Sequence, residues 1–387
     1  MKIFYFSTTL LPSHDPQSIH VMKMAQAFAK NKHDVTLFAR LVGRVSSEEL
    51  FQIYDTEPCF KLHLSSSFGV PVVSDTTQFF KLKKALPTLG GTDLFYGDDL
   101  YALCALGDSH TPIVFEVQDI PRSPLAASAM KKLLARPNLR AIVTISDVLK
   151  KEFMRLYPTL QPEQIFVAHD GADLIDYISQ KAQTLKTLKG REECFNIGYA
   201  GSLHPGKGLA LIARLAKFRP NYDFHILGGT VKEVQRYQTQ IQPPNIHFYG
   251  HCDHADVPSY LKAFDVCIAP YQHRALIKTG RNTSRWISPM KIFEYMAAGK
   301  PILCSNLPIM HEILEHGNNA LLLPASDEEK WGYAIDNIKN NPETWAKLGE
   351  QAYQSLQDRY TWDKRAQAIL DFSLSDTSPV RFSNAAS

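Results

Sequence analysis

Short β-rich runs alternate with helical patterns along almost the whole chain, and they do so in two separate series. The first series of strand candidates is "KIFYFS", "DVTLFAR", "KLHLSS", "DLFYG", "PIVFEV", "AIVTIS" and "IFVAHD". The second is "FNIGYAG", "YDFHILGG", "NIHFYG", "VCIAPY", "PILCS" and "ALLLP". Segments such as "SIHVMKMAQAFAKNK" lie between them, with Val21, Met24, Ala25 and Phe28 at helical spacing. Strands separated by helices pair in parallel, and a parallel sheet is covered on both faces. Two such series predict two Rossmann-like α/β domains. The polar stretch "SQKAQTLKTLKGREEC" separates them. The expected organisation is a first domain over 1–178, a linker over 179–194 and a second domain over 195–357. A helix over 358–376 and a flexible tail over 377–387 complete it.

The bulk numbers agree with this division. A chain of 387 residues is too long for one ordinary core. Charged residues at 21% and hydrophobic ones at 44% fit a soluble globular protein. A net charge of +3 is too small to make nucleic acid the main partner. The six cysteines form no C-x-x-C pair and mostly sit in apolar segments, as buried thiols of a reducing compartment do. The opening "MKIFYFSTTLLPSHD" reads as a first strand and not as a signal peptide. No run of about 18 apolar residues exists to span a membrane. The expected location is the cytoplasm.

In open parallel sheets, ligands bind beyond the carboxyl ends of the strands, so the strand-to-helix turns are where chemistry is expected. The first strand of series two runs into "GYAGSLHPGKGLALIARL". Gly201 to Lys207 fits G-x-x-x-x-G-K, but Gly208 stands where a phosphate loop needs Ser or Thr to hold magnesium. That argues against an ATPase or GTPase. It leaves a glycine turn, a helix N-terminus and one lysine, a phosphate site without an obligatory metal. The alternative is a glycine-rich connection with a solvated lysine. A second such feature is "SPMKIFEYMAAGKPILC". Ser288 is the expected N-cap, Pro289 the first helical residue and Gly299 the left-handed stop. Lys291 then falls on the third helical position, where a capping box and the helix dipole both ask for an acid. An anion at that N-terminus would explain the lysine. Glu294, three residues on, would accept hydrogen bonds from sugar hydroxyls beside the anion. The competing reading is a surface i,i+3 ion pair between Lys291 and Glu294.

These residues, with "FYGH", "IAPY" and "SPMKIFEYMAAGKPILCSNLPIMHEIL", resemble the nucleotide-sugar domain of the family 4 retaining glycosyltransferases. "PIVFEVQDIP", "AIVTISDVLKKEF" and "IFVAHDGADL" are similar to the acceptor-side domain of the same family. The resemblance covers about residues 1–370. It implies the GT-B fold: two Rossmann-like domains with parallel sheets facing across a cleft, and a C-terminal helix crossing back to the N-terminal domain. It implies retaining transfer of a sugar from a nucleoside diphosphate donor, by front-side attack, onto a surface polysaccharide or lipid-linked glycan. Lys207 would hold the diphosphate, with Gly201 and Ser202 in the same turn. Ser288, Pro289 and the amides of Met290 and Lys291 would meet the phosphates, and Glu294 would bind the ribose. The turn around His251 and Cys252 would line the nucleobase. Lys207, Glu294 and Gln118 are the residues expected to carry the transfer. His20, Asp119, Arg281 and Arg285 are candidate contacts to acceptor or sugar. No cofactor or metal is expected beyond the donor itself.

Three positions depart from the family pattern. Trp286 stands where the first glutamate of E-x7-E would fall, Ser202 where many members have arginine, and Gln118 where a histidine is common. They motivate one alternative, a nucleotide-sugar-binding scaffold without catalysis; a second alternative is an epimerase or hydrolase on the same fold. His169 is read as a structural hydrogen-bonder. "FFKLKKALPTL" (79–89) and "MKKLLARPNLR" (130–140) join lysines to apolar residues, as surface helices or peripheral membrane contacts do.

Overall fold

The structure is a computed structural model. It describes residues 1–66, 90–106, 110–121, 123–175, 187–241, 243–273, 286 and 288–375. The chain forms two compact units, one of residues 1–169 and 362–387, the other Asp170–Thr361.

In the first unit β1 (Lys2–Leu11), β2 (Asp34–Leu41), β3 (Lys61–Ser66), β4 (Leu94–Gly97), β5 (Ile113–Val117), β6 (Leu139–Thr144) and β7 (Ile165–Val167) form one sheet. Its order is β3-β2-β1-β4-β5-β6-β7 and every pairing is parallel. Helices α1 (Pro16–Lys30), α2 (Ser47–Ile53), α3 (Leu100–Ala105), α4 (Pro124–Leu134) and α5 (Asp147–Leu156) make the connections. Their starts are legible chemistry: Ser46 and Glu49 form a capping box on α2, and Ser146 caps α5.

The second unit repeats the plan. Its strands are β8 (Phe195–Ala200), β9 (Tyr222–Leu227), β10 (Ile246–Gly250), β11 (Val266–Ala269), β12 (Ile302–Ser305) and β13 (Leu321–Leu323). They are all parallel, in the order β10-β9-β8-β11-β12-β13. The helices are α6 (Leu209–Phe218), α7 (Val231–Gln240), α8 (Val257–Ala263), α9 (Met290–Ala298), α10 (Glu328–Asn340) and α11 (Pro342–Ser355). All six residues of β9 are buried, as a central strand covered on both faces requires. Trp331 of α10 is fully buried in this core and donates its indole N–H to the Pro324 carbonyl at 2.9 Å. In each unit the order reverses beside the first strand, between β1 and β4 and between β8 and β11. Ligands of doubly wound sheets bind at that switch point.

The units divide between His169 and Asp170, ahead of the stretch expected as a linker. Of that linker, residues 187–194 are described. The last helix, α12 (Trp362–Leu374), belongs to the first unit and packs on α1. Arg365 fastens it. Its Nε donates to the His169 carbonyl at 2.9 Å, and its Nη2 to Ala168 O at 3.1 Å and Glu116 Oε1 at 2.8 Å. His169 itself hydrogen-bonds Ile145 O at 3.1 Å. The calls on 79–89 and on the tail 377–387 lie outside the described residues. Among the described residues, no helix is long and apolar enough to cross a membrane.

Candidate functional site

The two lysine-bearing turns of the second unit meet at the β8/β11 switch point. Gly201 follows β8 directly, with φ at +139°, and its N–H donates to Leu227 O at 3.0 Å. A Cβ at Gly201 would lie 2.7 Å from Lys291 Nζ, so only glycine leaves room for that side chain. The turn ends at Gly208, φ +95°, which is the N-cap of α6. A Cβ there would strike the Pro270 carbonyl at 2.2 Å, so the turn is pressed against the loop leaving β11. Gln272 N–H locks the contact by donating to Gly206 O at 2.9 Å.

Helix α9 is apolar on nearly every side. Only Met290 and Glu294 are not fully buried, so it is an internal helix and not a surface one. Tyr295 ties it to the sheet: its hydroxyl accepts Ala200 N–H at 2.8 Å and lies 3.3 Å from Ile268 O, at the ends of β8 and β11. The expected cap is corrected here. Pro289, not Ser288, is the N-cap, without a side-chain bond, and Lys291 is the second helical residue. Ser288 Oγ accepts the Asp170 N–H at 3.2 Å, a partner 118 residues away that outcompetes the local cap. The Met290 N–H is also engaged, with Ser288 O at 3.1 Å.

Lys207 and Lys291 are only 8% and 9% exposed. Among the described residues Lys291 Nζ is a buried atom with no hydrogen-bond partner. It lies 3.7 Å from the centre of the Tyr199 ring and 5.2 Å from that of Tyr271. Lys207 Nζ lies 4.9 Å from the Tyr271 ring. The amines are held by aromatic faces and not by carboxylates. Tyr199 is fixed in turn by its hydroxyl, which donates to Ser202 O at 2.7 Å. Burial lowers the Lys207 amine to about 8. Burial, then repulsion from Lys207, holds Lys291 well below the ordinary lysine range. Burying an ammonium is costly without a counter-charge, and an anion beside the pair would offset that cost.

Glu294 forms no ion pair with Lys291. Its Oε1 lies 3.7 Å from His254 Nε2, and the carboxylate remains partly exposed. Ser202 and Cys252 are half-buried and His251 is exposed after β10. Trp286 is buried. Arg281 and Arg285 lie outside the described residues.

The other expected contacts lie in the first unit. His20 is not on the turn into α1 but inside that helix, 2% exposed and edge-on to Trp362. Its Nε2 sits 2.9 Å from Glu116 Oε1. Gln118 Nε2 donates to the same oxygen at 2.6 Å, and the Tyr96 hydroxyl donates to the other. Burial pushes Glu116 up, but Arg365 and His20 outweigh it and hold the carboxyl far below its usual range. Asp119 Oδ1 accepts the Ile120 N–H at 2.7 Å. Sequence reasoning missed Tyr199, Tyr271, Tyr295, Glu116 and Arg365. The tyrosines stand inside quoted motifs, "GYAG", "APY" and "FEYM", with no local feature that singles them out.

Residues 194–341 match the family model for glycosyl transferases group 1. Over those residues the chain is similar to that family. Its group 1 domain coincides with the lysine-bearing sheet of the second unit. The chain is 32% identical over 229 residues to the O-antigen chain mannosyltransferase RfbU of Salmonella typhimurium, covering 59% of this chain and 58% of the relative. It is 28% identical over 196 residues to TuaH of Bacillus subtilis, provisionally named a teichuronic acid biosynthesis glycosyltransferase, covering 48% and 47%. The chain thus spans less than two thirds of these curated relatives. Among solved structures it is similar to Anabaena HepE in complex with UDP, at a TM-score of 0.68 and 18% identity, over 96% of this chain and 99% of that one. At this identity the likeness is one of fold: the chain has the GT-B fold.

Proposed function

We propose that the chain is a retaining glycosyltransferase, moving a sugar from a nucleoside diphosphate donor to a glycan acceptor in polysaccharide assembly. The observation that carries this reading is the pair of buried lysines, without carboxylate partners among the described residues, at the switch point of the group 1 domain. The names of RfbU and TuaH, and the UDP in the HepE structure, support the same class. On this reading the bond from the anomeric carbon to the diphosphate breaks while the acceptor oxygen bonds on the same face. The acceptor proton passes to the departing phosphate oxygen. The chain's task is to stabilise charge on that leaving group, which Lys207, Lys291 and the N-termini of α6 and α9 do electrostatically. Gln118, its amide nitrogen committed to Glu116, would use its carbonyl oxygen to accept from a sugar hydroxyl. Positive charge comes from lysine, so no metal is required.

The test is a donor-and-acceptor turnover assay in EDTA, following release of nucleoside diphosphate. Release that requires acceptor and survives EDTA is expected. Binding without release would favour the scaffold alternative, and donor loss without acceptor the epimerase or hydrolase. In titrations, Lys207→Ala should weaken nucleoside diphosphate by about 10- to 100-fold and the bare nucleoside hardly at all, the loss of a charge-assisted contact. Glu294→Ala should weaken both alike. Equal losses for Lys207→Ala would remove it from the phosphate site.

A lipid-linked acceptor would bring the protein to the cytoplasmic leaflet. Helix α4 presents Leu125, at 65% exposure, with exposed Lys131 and Lys132. Pelleting with anionic but not neutral vesicles is expected, and equal pelleting with both would count against this contact.

A further inference from the structure

The neighbourhood of Lys291 has a consequence beyond affinity, resting on the diphosphate reading above. We propose that a phosphate group binding at the Lys207–Lys291 pair draws a proton in from solution, so that Lys291 is a neutral amine in the ligand-free protein and an ammonium beside the bound anion.

The geometry forces a choice of protonation state. Lys291 Nζ is enclosed between the Tyr199 ring and the Gly201 backbone, with no acceptor atom in hydrogen-bond range. From the turn before α6, Lys207 adds a second amine against the shared Tyr271 ring. From α9 itself Glu294 favours the ammonium, and from β12 the Cys304 thiol would do so only if ionised. Cys304 is not ionised: burial pushes its thiol up to about 12. Tyr199 and Tyr271 are likewise held as neutral phenols by burial. Glu294, the one carboxylate among the groups acting on Lys291, is partly solvated and 3.7 Å from His254. Repulsion from Lys207 outweighs it. The free pair therefore stays below two full charges. A phosphate beside it reverses the balance, because an adjacent anion favours the charged amine. The amine takes its proton from the buffer acid, leaving the conjugate base, and no covalent bond to phosphorus forms.

The experiment is calorimetric titration of the full chain with UDP, GDP and ADP at pH 8, where their terminal phosphates are already ionised. It is run in two buffers of different ionisation enthalpy. For whichever nucleotide binds, uptake of about one proton or more per site is expected, with affinity weakening by about tenfold or more per pH unit just above pH 8. Lys291→Met should abolish binding or cut the uptake to about half a proton or less, the share left to Lys207. Binding with identical heats in both buffers overturns the inference while leaving the proposed function standing. Full uptake in Lys291→Met overturns it as well, by placing the proton elsewhere. No binding of any of the three nucleotides overturns the proposed function together with it.

Discussion

Lys291→Met should make the ligand-free protein more stable by about 1–3 kcal/mol while cutting nucleoside diphosphate affinity by roughly 100-fold. Both effects have one cause. The amine is buried over Tyr199 without an acceptor, so folding either strips a proton from it or desolvates a charge. Methionine fills a similar channel with no polar atom to desolvate, and its sulfur packs well against aromatic faces. The lost affinity follows because the diphosphate would keep Lys207 but lose the second cation. Thermal denaturation followed in the second unit, beside a titration with UDP, reads both. A variant less stable than wild type would mean that Lys291 has an ionic partner in solution, and the anion site would fall with it. The pH dependence has a fixed sign. Both lysines titrate lower in the folded chain than the unfolded value of about 10.4, so the unfolded chain holds more protons in between. Ligand-free stability should therefore rise with pH, for Lys207 from about 8 towards about 10.4, and Lys291→Met should flatten the rise.

This opposition between stability and binding explains why the helix at Met290–Ala298 was readable and its start was not. Its apolar content, and Gly299 at φ +63°, are local facts, so the helix and its end are written in the sequence. The same holds for the strands among the described residues, whose cores are short apolar runs between turn signals. Ser288, Pro289 and Lys291 also looked local, as a cap, a first residue and a misplaced charge. Yet Ser288 serves Asp170, and Lys291 serves a ring on β8 and a turn after it. Their partners are set by which strand lies beside which, and β8 meets β11 only through the sheet order. The lysine stood out in the sequence because it falls in a first turn, against the helix dipole; that no described residue hydrogen-bonds its amine is a property of the fold. That it is buried, and that two tyrosines flank it, required the fold. His20 shows the converse. A histidine near the first strand-to-helix turn read as ligand-facing, but burial against Glu116 makes it part of an internal ion cluster.

That cluster should give the largest loss of stability in the chain: Arg365→Ala is expected to destabilise the first unit by about 3–5 kcal/mol. Glu116 and Arg365 are 249 residues apart, and no periodicity links them. Arg365 also holds the carbonyls of Ala168 and His169, where the chain leaves the first unit. Removing the guanidinium leaves a 1% exposed carboxylate beside the His20 ring, without the arginine's charge. The pH response separates this loss from simple loss of packing. In wild type the Glu116 carboxyl is held far below its unfolded range, so its contribution is full above about pH 4.3 and is lost progressively as pH falls from there towards the depressed value. Without Arg365, burial dominates and raises that carboxyl, so mild acid can neutralise it in the folded chain. The stability deficit of Arg365→Ala should therefore narrow between pH 7.5 and pH 5, measured by denaturant unfolding of the first unit. Glu116→Leu in the Arg365→Ala background should recover part of the loss, because no uncompensated charge then remains buried. A deficit that is constant with pH and unrelieved by Glu116→Leu would assign Arg365 to packing alone. Trp362, Ile369 and Leu370 would then be what holds α12 to the first unit, since their burial does not depend on the guanidinium.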